Sequence, residues 1–376
     1  MTRIAYDVVI VGAGIVGAAV AAECAREGMS VAVIEASMIA GGATAAGMGH
    51  IVVMDDSEAQ FALTRYSQIL WDELSEEMPR EGEYEAPGTI WVAADDEEMA
   101  EVRRKEKFYE ERGVATEVLD ARSLAEAEPN LRSGLAGGIL IRGDSVIYPP
   151  AAARFLLEQA RAHGADLLIG QPVIEIDQKG VRLRDGSRIP AHLTVNAAGT
   201  WAGEIVRGID VEKRKGHLVI TDRYPGFARH QLVEIGYLKS AHSLRSDSVA
   251  FNIQPRRTGQ MLIGSSRQYG VESSAVDSHI LGRMIGRAIE YMPKLLNLSA
   301  IRVWTGFRAA TPDNLPLIGP HPDQENLYLA TGHEGLGITT SLGTARLLVD
   351  QLLGRPPAIP IAPYLPSRTK REVTHA

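Results

Sequence analysis

The apolar positions of the chain change their period from segment to segment, most clearly at the N-terminus. An apolar run broken only by Asp7 covers residues 6–11, an alanine-rich stretch with helical spacing follows at 15–26, and a second apolar run, broken only by Ser30, covers 29–34. Short apolar runs separated by a helix predict parallel strands that are buried on both faces. Gly28 lies just beyond the helical stretch and predicts its end. The N-terminus is therefore predicted to form a strand–helix–strand unit.

The rest of the chain alternates between helical spacing and short strand-like runs. Residues 58–77 carry Leu63, Tyr66, Leu70 and Leu74 on one predicted helical face. The other predicted helices are 95–113, 121–128, 149–164, 276–293 and about 336–353. The predicted strands are 87–93, four short runs between 166 and 199, and then 217–221, 232–237, 248–254, 260–266 and 327–330.

The turn inside the first unit has the composition of a dinucleotide-binding loop. Gly12 permits a tight turn, Gly14 permits close approach of backbone to a pyrophosphate, and Gly17 permits close packing of helix on strand. The first N–H groups of the helix then face the phosphates, where the helix dipole favours negative charge. Glu35 ends the second strand and suits the ribose hydroxyls. The predicted contacts in this unit are Gly12, Gly14, Ile15, Val16, Gly17, Glu35 and Ala36.

The order of elements predicts an α/β fold with an α+β second lobe, because strand–helix units at both ends enclose a strand-rich middle. The first lobe is expected to be a Rossmann-type dinucleotide-binding lobe, and the second an interleaved, largely antiparallel sheet that binds the substrate. The predicted segments of the first lobe are 1–80, 150–210 and 310–376, and those of the second lobe are 81–149 and 211–309.

Composition narrows the function further. The chain has 376 residues, 45% of them hydrophobic and 23% charged, which is ordinary for a soluble globular protein. Its net charge of −8 makes nucleic-acid binding a poor match. The single cysteine, Cys24, excludes an internal disulfide and is expected in the core. No histidine spacing suggests a metal site. With no signal peptide and no membrane-spanning stretch, the expected location is the cytoplasm, and peripheral attachment at the inner face of the membrane stays open.

Four further stretches carry a resemblance to a known family. They are GGATAAGMGHI at 41–51, QPVIEIDQ at 171–178 with TVNAAGTWAG at 194–203, WTGFRAATPDNLPLIG at 304–319, and TGHEGLGITTSLGTA at 331–345. Together they resemble the FAD-dependent amine and amino-acid oxidoreductases related to D-amino-acid oxidase. The resemblance is greatest to the branches that contain glycine oxidase, the related polypeptide of hydrogen cyanide synthase, and D-hydroxyproline dehydrogenase.

The resemblance implies FAD as the cofactor, and the presence of one complete GxGxxG unit agrees with FAD rather than NAD. Since the chain has no cysteine late in its sequence, a cysteinyl link is excluded and non-covalent binding is expected. Trp201 is expected to close the dinucleotide site or to be a core aromatic. The further cofactor contacts that the family implies are Gly42, Ala43, Thr44, Gly47, Met48, Gly49, Val173, Ala197, Ala198, Gly199, Trp201, Gly332, Gly335, Leu336, Gly337, Ile338 and Thr339.

The family also implies an arginine that clamps the substrate carboxylate, and Arg308 holds the matching position. A guanidinium suits this task because it binds a carboxylate through two parallel hydrogen bonds and stays charged. Arg256 and Arg257 are weaker candidates, since they are expected at a solvated turn between strands. The substrate is then a small carboxylate-bearing amine such as glycine, D-proline or D-hydroxyproline, which gives up hydride from its Cα to the flavin.

Three other residues are candidates for the catalytic site. His50 is expected to face the flavin and either to orient the amine or to be a packed histidine. Tyr237 matches a tyrosine that family members place over the carboxylate. His333 is expected beside the flavin with either a catalytic or a structural role.

The electron acceptor and the competing activities stay open at this stage. Sarcosine oxidases place a lysine beside the flavin to activate oxygen, and this chain has Leu262 and Ile263 in that region. A dehydrogenase that passes electrons to a quinone or a partner subunit is therefore favoured over use of oxygen, in a homo- or hetero-oligomer. The alternatives are a 2-hydroxy-acid oxidoreductase, such as a 2-hydroxyglutarate enzyme, and a flavin-holding subunit of an electron-transfer complex.

Overall fold

The structure, a computed structural model, describes residues 5–236 and 247–369. Most of the helices predicted from apolar spacing are present, with ends shifted by a few residues. The α-helices within the described residues are α1 (Ile15–Arg26), α2 (Ala43–Ala46), α3 (Glu58–Ser75), α4 (Asp96–Glu110), α5 (Ala121–Ala127), α6 (Pro149–Ala162), α7 (Ala202–Ile205), α8 (Ser278–Tyr291) and α9 (Gly337–Leu352).

The strands outnumber those that the sequence predicted. They are β1 (Tyr6–Val11), β2 (Val31–Glu35), β3 (His50–Ile51), β4 (Thr89–Ala93), β5 (Thr116–Asp120), β6 (Gly137–Ile141), β7 (Ser145–Val146), β8 (Asp166–Ile169), β9 (Val173–Asp177) and β10 (Gly180–Leu183). The remaining strands are β11 (Arg188–Asn196), β12 (Glu212–Thr221), β13 (Gln231–Glu234), β14 (Ser248–Pro255), β15 (Met261–Arg267), β16 (Ala300–Ala310), β17 (Leu317–His321), β18 (Gln324–Thr331) and β19 (His333–Glu334).

The first sheet carries the N-terminal unit and has the order β17-β18-β11-β1-β2-β8. Strands β18, β11, β1, β2 and β8 are parallel, and β17 runs antiparallel at the edge. Val8 and Ile10 of β1 pack into one core with α1, α6 and α9, whereas Val9 and Val11 pack into a second core on the other face. Burial on both faces explains why β1 is apolar at successive positions.

The second sheet has the order β19-β16-β12-β15-β14-β13-β4-β6-β5 and is antiparallel except between β13 and β4. Helix α8 covers one face, where the rings of Phe251 and Tyr291 stack with centroids 4.5 Å apart. Because neighbouring side chains on a strand point to opposite faces, Asn252 lies on the other face, toward the first sheet. This opposite face forms a wall of the site described below.

The predicted α/β class with a Rossmann-like sheet is confirmed, and the main differences are strands that the sequence did not predict. Strand β6 begins with Gly137 and Gly138, and a Cβ on Gly138 would lie 2.5 Å from the carbonyl oxygen of Trp91. A glycine is therefore needed here because the backbones of β6 and β4 lie close together. Since glycine weakens a strand pattern in the sequence, β6 was not predicted. Strands β5 and β16 were also not predicted. Within the described residues, no helix combines the length and the apolar character needed to cross a bilayer.

Candidate active site

A cavity of about 920 Å³ lies between the two sheets. Its walls include the glycine-rich turn after β1 at one end and Arg308 of β16 at the other. Concave sites with apolar walls and a few convergent polar groups are typical of small-molecule and cofactor binding. The cavity thus joins the predicted dinucleotide loop to the predicted carboxylate-binding residue.

The glycine-rich turn is built so that backbone lies close to backbone. Gly12 has a φ of 108°, a conformation that favours glycine, and a Cβ there would lie 2.6 Å from the carbonyl oxygen of Ala197. A Cβ on Gly17 would overlap the carbonyl oxygen of Gly12. A side chain at Gly12 would therefore push the turn away from Ala197, and one at Gly17 would push the first turn of α1 away from the end of β1.

The acid at the end of β2 is fixed at the mouth of this turn. The two oxygens of Glu35 accept hydrogen bonds from the N–H groups of Ala13 and Ser37, both at 2.9 Å. The N–H of Ile15 does not point freely into the cavity, because it donates to Oγ1 of Thr44 at 2.9 Å. The prediction that this N–H faces the phosphates is corrected accordingly, and the bond ties the segment 41–51 to the start of α1.

Trp201 lies at the open edge of the cavity. Its side chain is 47% exposed, and a Cβ on Gly42 would lie 3.3 Å from its ring. The alternative that Trp201 is a core aromatic is therefore wrong.

Most of the predicted cofactor residues line the cavity, and two do not. Gly17 lies beneath the turn, where it acts only through packing. Thr339 is buried, and its Oγ1 donates to the carbonyl oxygen of His50 at 2.8 Å, so it anchors the segment that carries His50. The others line the cavity: Gly12, Gly14, Ile15, Val16, Glu35, Ala36, Gly42, Ala43, Thr44, Gly47, Met48, Gly49, Val173, Ala197, Ala198, Gly199, Trp201, Gly332, Gly335, Leu336, Gly337 and Ile338.

Helix α9 begins at the cavity wall. Its N-cap residue, Leu336, provides no side-chain cap, and Gly337 and Ile338 of its first turn line the cavity. The first N–H groups of a helix carry partial positive charge. This end of α9 therefore offers a fixed counter-charge to an electron-rich ring bound beside it.

The histidines at the cavity are neutral near pH 7. Burial lowers the pKa of His50 to about 3, and its Nε2 is buried without a partner among the described residues. Burial also lowers the pKa of His333 to about 3, and its Nε2 is 3.0 Å from Oγ1 of Thr344. His217, which the sequence did not single out, accepts from the N–H of Asp277 at 3.0 Å. Nε2 of His50 is therefore a buried ring nitrogen that the described residues leave unpaired.

Arg308 reaches across the second sheet. Its Nη1 donates to the carbonyl oxygen of Ser266 at 3.0 Å, and its path lies over Gly216, where a Cβ would be 2.7 Å from Nη1. Arg256 lies elsewhere, with its Nε donating to Glu83 at 3.0 Å, and it does not line the cavity. Arg257 is likewise outside the cavity lining, so the structure places Arg308 alone of the three predicted arginines at the site. Tyr237 lies outside the described residues.

Two further arginines and one glutamate surround this end of the cavity, and the sequence did not point to them. Glu334 lies 3.7 Å from Nη1 of Arg214 and 3.5 Å from Nε of Arg267. Burial alone would raise the pKa of Glu334, but the charges of Arg267, Arg308 and Arg214 together hold it below its ordinary value. Three guanidinium groups against one carboxylate leave this end of the cavity positive. Arg214 and Gly216 are two residues apart in the sequence, as residues on one face of a strand are. Only the register of β12 against β16 shows that they lie beside Arg308.

Gly216 provides a direct test of where the guanidinium lies. In a Gly216→Ala variant, the new methyl group displaces the Arg308 guanidinium, and a displacement near 1 Å costs up to about 100-fold in rate. We expect kcat/KM for the carboxylate-bearing substrate that the family resemblance implies to fall by roughly 10- to 100-fold while the spectrum of the expected flavin stays unchanged, as measured by anaerobic flavin reduction. Gly282→Ala in α8 is the control, because no atom lies within 4 Å of its added Cβ. Equal rates in both variants would show that Arg308 does not lie over Gly216.

Among the described residues, no group of three or more His, Cys, Asp or Glu side chains is arranged to hold a metal ion. Cys24 is buried in the core of α1, and burial raises the pKa of its thiol to about 12. The groups that the described residues offer at the site therefore include backbone amides, guanidinium groups, neutral polar side chains and the carboxylates of Glu35 and Glu334.

Comparison with known proteins identifies the architecture. A family model described as FAD dependent oxidoreductase matches residues 7–351. Glycine oxidase of Bacillus licheniformis is 27% identical, covering 93% of this chain and 94% of its own length. Hydrogen cyanide synthase subunit HcnC of Pseudomonas aeruginosa is 28% identical, covering 98% of this chain and 97% of its own.

Solved structures agree with these relatives. The crystal structure of glycine oxidase from Geobacillus kaustophilus superimposes with a TM-score of 0.88 at 26% identity, covering 97% of this chain and 99% of that one. The structure of L-proline dehydrogenase from P. horikoshii gives a TM-score of 0.85 at 25% identity, covering 97% of each chain.

The glycine-rich cradle, the acid after β2 and the cavity between two sheets define a flavin-type dinucleotide-binding enzyme. The chain belongs to the family of FAD-dependent oxidoreductases. Its residues fit that cofactor, because the glycine-rich turn lines the cavity with backbone and Glu35, held by the N–H of Ala13, lines it beside the turn. The expected cofactor, FAD, is thereby supported by both the family and the geometry.

Proposed function

We propose that the protein oxidises the C–N bond of a small D-amino or cyclic imino acid to the imine, with glycine, D-proline and D-hydroxyproline as the model substrates. The observation that carries this proposal is the position of Arg308, whose guanidinium lies at the positive end of the same cavity that begins at the dinucleotide cradle. The names of the glycine oxidases and of the proline dehydrogenase support an amino or imino acid as substrate.

The protein residues would bind and orient the substrate. A carboxylate would accept two parallel hydrogen bonds from Arg308, whose remaining bond to Ser266 fixes the plane of the guanidinium. FAD, when bound, would supply the electron-accepting ring for hydride from the substrate Cα. Placing Cα within about 3 to 3.5 Å of its acceptor is the main contribution of such a clamp. The positive end of α9 would stabilise the negative charge that develops beside it.

A neutral substrate amine makes a strong protein base unnecessary, since its lone pair forms the C=N bond as hydride leaves. The lowered pKa values of His50 and His333 agree with this view, because both imidazoles stay neutral throughout the working pH range.

The pH dependence tests this account of proton transfer. Since only the neutral amine donates its lone pair, we expect kcat/KM to fall as pH decreases below the pKa of the substrate amine. With two substrates whose amines differ in pKa, the limb should move with the substrate, and no limb should appear near 6.5, the ordinary histidine value. A limb that stays near 6.5 for both substrates, and that is lost in His50→Gln, would contradict this account and assign His50 as a base.

The electron acceptor is proposed to be a quinone or a partner subunit rather than oxygen. The similarity to one polypeptide of hydrogen cyanide synthase supports a role within a larger assembly. Strand β15 has the buried residues Leu262 and Ile263 in the region where sarcosine oxidases place a lysine, and it contains no lysine itself. The test measures turnover of the purified chain with an artificial dye under argon and with oxygen alone under air. We expect turnover with the dye and little with oxygen, and fast turnover under air without the dye would contradict this assignment.

The activity itself is tested by anaerobic bleaching of the bound flavin. The panel contains both enantiomers of proline, 4-hydroxyproline and alanine, together with glycine, 2-hydroxyglutarate and pyrrolidine. We expect bleaching by cyclic imino acids or small D-amino acids and none by pyrrolidine, which lacks the carboxylate. Bleaching by 2-hydroxyglutarate alone, or equal rates for proline and pyrrolidine, would contradict the proposal.

A further inference from the structure

Arg214 is a second arginine that lines the cavity beside Arg308. Strand register pairs the two residues directly across β12 and β16, so both side chains leave the same face of the sheet. The Cβ atoms of residues paired in this way are about 5 Å apart, and like charges so placed repel each other. Two cations that start from neighbouring positions and face one cavity are favoured only where anions lie near them.

The contacts of Arg214 leave one of its nitrogen atoms available to a ligand. Nη1 donates to Oδ1 of Asn314 at 2.7 Å, and Nε is buried. Nη2 has no hydrogen-bond partner among the described residues, and unlike Nε it is not closed off by burial. Because Arg214 lines the cavity and its side chain is 14% exposed, Nη2 is the donor that a ligand in the cavity can reach.

The two residues that hold Arg214 both have unusual backbone conformations. Asn314 has a φ of 59° and Glu334 a φ of 50°, which is the left-handed region that favours glycine. Asparagine tolerates this region, whereas glutamate adopts it rarely. Residues kept in such conformations cluster at ligand-binding and catalytic sites. Their position on either side of one arginine indicates that the placement of its guanidinium serves a ligand.

The charges at this end of the cavity do not cancel. Glu334 lies among three guanidinium groups, those of Arg214, Arg267 and Arg308. Asp313, which also lines the cavity, is already bonded to Arg368. Three positive charges and the one negative charge of Glu334 leave two positive charges. A substrate with a single carboxylate on Arg308 would neutralise only one of them.

We propose that Arg214, supported by the charge of Arg267, binds a second carboxylate of the substrate, so that the enzyme prefers an amino acid with an acidic side chain to the corresponding amide. This inference rests on the proposed function, because it assumes that the first carboxylate lies on Arg308. The two carboxylates of aspartate or glutamate are joined through two or three carbon atoms, which suits guanidinium groups that start from paired positions. Arg214 is thereby assigned as a specificity-determining residue with no part in hydride transfer.

The first test uses the wild-type enzyme with FAD bound. It compares anaerobic flavin reduction by D-glutamate and D-aspartate with reduction by D-glutamine and D-asparagine. Acid and amide have nearly the same shape, but the amide nitrogen is a donor and would meet the donors of Arg214. We expect kcat/KM to favour each acid over its amide by about 100-fold, because the amide loses a charged partner and leaves a guanidinium unpaired.

Variants of Arg214 separate its charge from its packing. Arg214→Met removes the charge and keeps much of the length, and it should lower kcat/KM for D-glutamate by roughly 10- to 100-fold while leaving that for D-glutamine within about threefold. Arg214→Lys keeps the charge and should retain part of the preference for the acid. Arg302→Met is the matched control, because Arg302 is exposed on β16 and does not line the cavity.

The outcomes separate this inference from the proposed function. If acid and amide reduce the wild-type flavin equally, or if Arg214→Met lowers both equally, the second-carboxylate subsite is wrong, and reduction by glycine or D-proline would show that the amine oxidation stands. If no amino or imino acid reduces the wild-type flavin, both proposals fail. The flavin absorption spectrum of each variant shows that the fold is intact, and the wild-type comparison needs no variant.

Discussion

Replacing Arg308 by alanine will abolish reduction of the flavin by the amino or imino acid while the protein stays yellow. The guanidinium is the group at the positive end of the cavity that reaches over Gly216 to Ser266. Truncating one partner of a buried, hydrogen-bonded charge pair costs about 3 to 5 kcal/mol, which corresponds to roughly 10²- to 10⁴-fold in kcat/KM. The measurement is the rate of anaerobic bleaching at a series of substrate concentrations.

Two variants make this prediction specific. Arg308→Lys keeps the charge but loses the paired donors, and we expect an intermediate loss. Arg256→Ala removes an arginine that pairs with Glu83 away from the cavity, so it should leave the rate within about twofold of wild type. Bleaching by Arg308→Ala at the wild-type rate would show that the carboxylate is bound elsewhere.

A second large effect is expected at the cofactor end, where Gly17→Ala should prevent the binding of FAD. In most helices an alanine in place of glycine stabilises by up to about 1 kcal/mol. At this position the added Cβ would overlap the carbonyl oxygen of Gly12, so α1 must move away from β1 and the turn that holds the pyrophosphate is lost. We expect a colourless protein that FAD does not restore, as measured by absorbance and by flavin fluorescence titration.

The control for that experiment is Gly286→Ala in α8, a helical glycine with no atom within 4 Å of its added Cβ. It should bind FAD as the wild type does and unfold at the same or a slightly higher temperature. A Gly17→Ala protein that is folded and binds FAD with unchanged affinity would contradict the packing argument for the turn.

The N-terminal unit could be predicted from the sequence because its information is local. Strand β1 is apolar at successive positions since both of its faces are covered, and Gly12 and Gly17 mark places where backbone meets backbone. The same local reasoning gave the helices, whose apolar spacing needs no knowledge of their neighbours. It did not reveal that the N–H of Ile15 is bonded to Thr44, because that contact joins two segments 29 residues apart.

The substrate end could be predicted only in part. Arg308 was suggested by a family resemblance, but Arg214, Arg267 and Asn252 come from three other strands, and only the register of the sheet places them at one cavity. Nothing in the sequence near Asn252 distinguishes a buried, unpaired amide from one at a surface. Register is decided by packing across the sheet, so the composition of this end of the site follows from the fold rather than from any single segment.

The central claim is that the carboxylate of the substrate is bound by Arg308 in the cavity that holds FAD. The most direct measurement is a crystal structure of the FAD-loaded protein soaked with pyrrole-2-carboxylate, a planar analogue that carries no hydrogen on its α-carbon. The account predicts that both carboxylate oxygens lie about 3 Å from the guanidinium nitrogens of Arg308. A carboxylate bound away from Arg308, with the guanidinium still bonded only to Ser266, would contradict it.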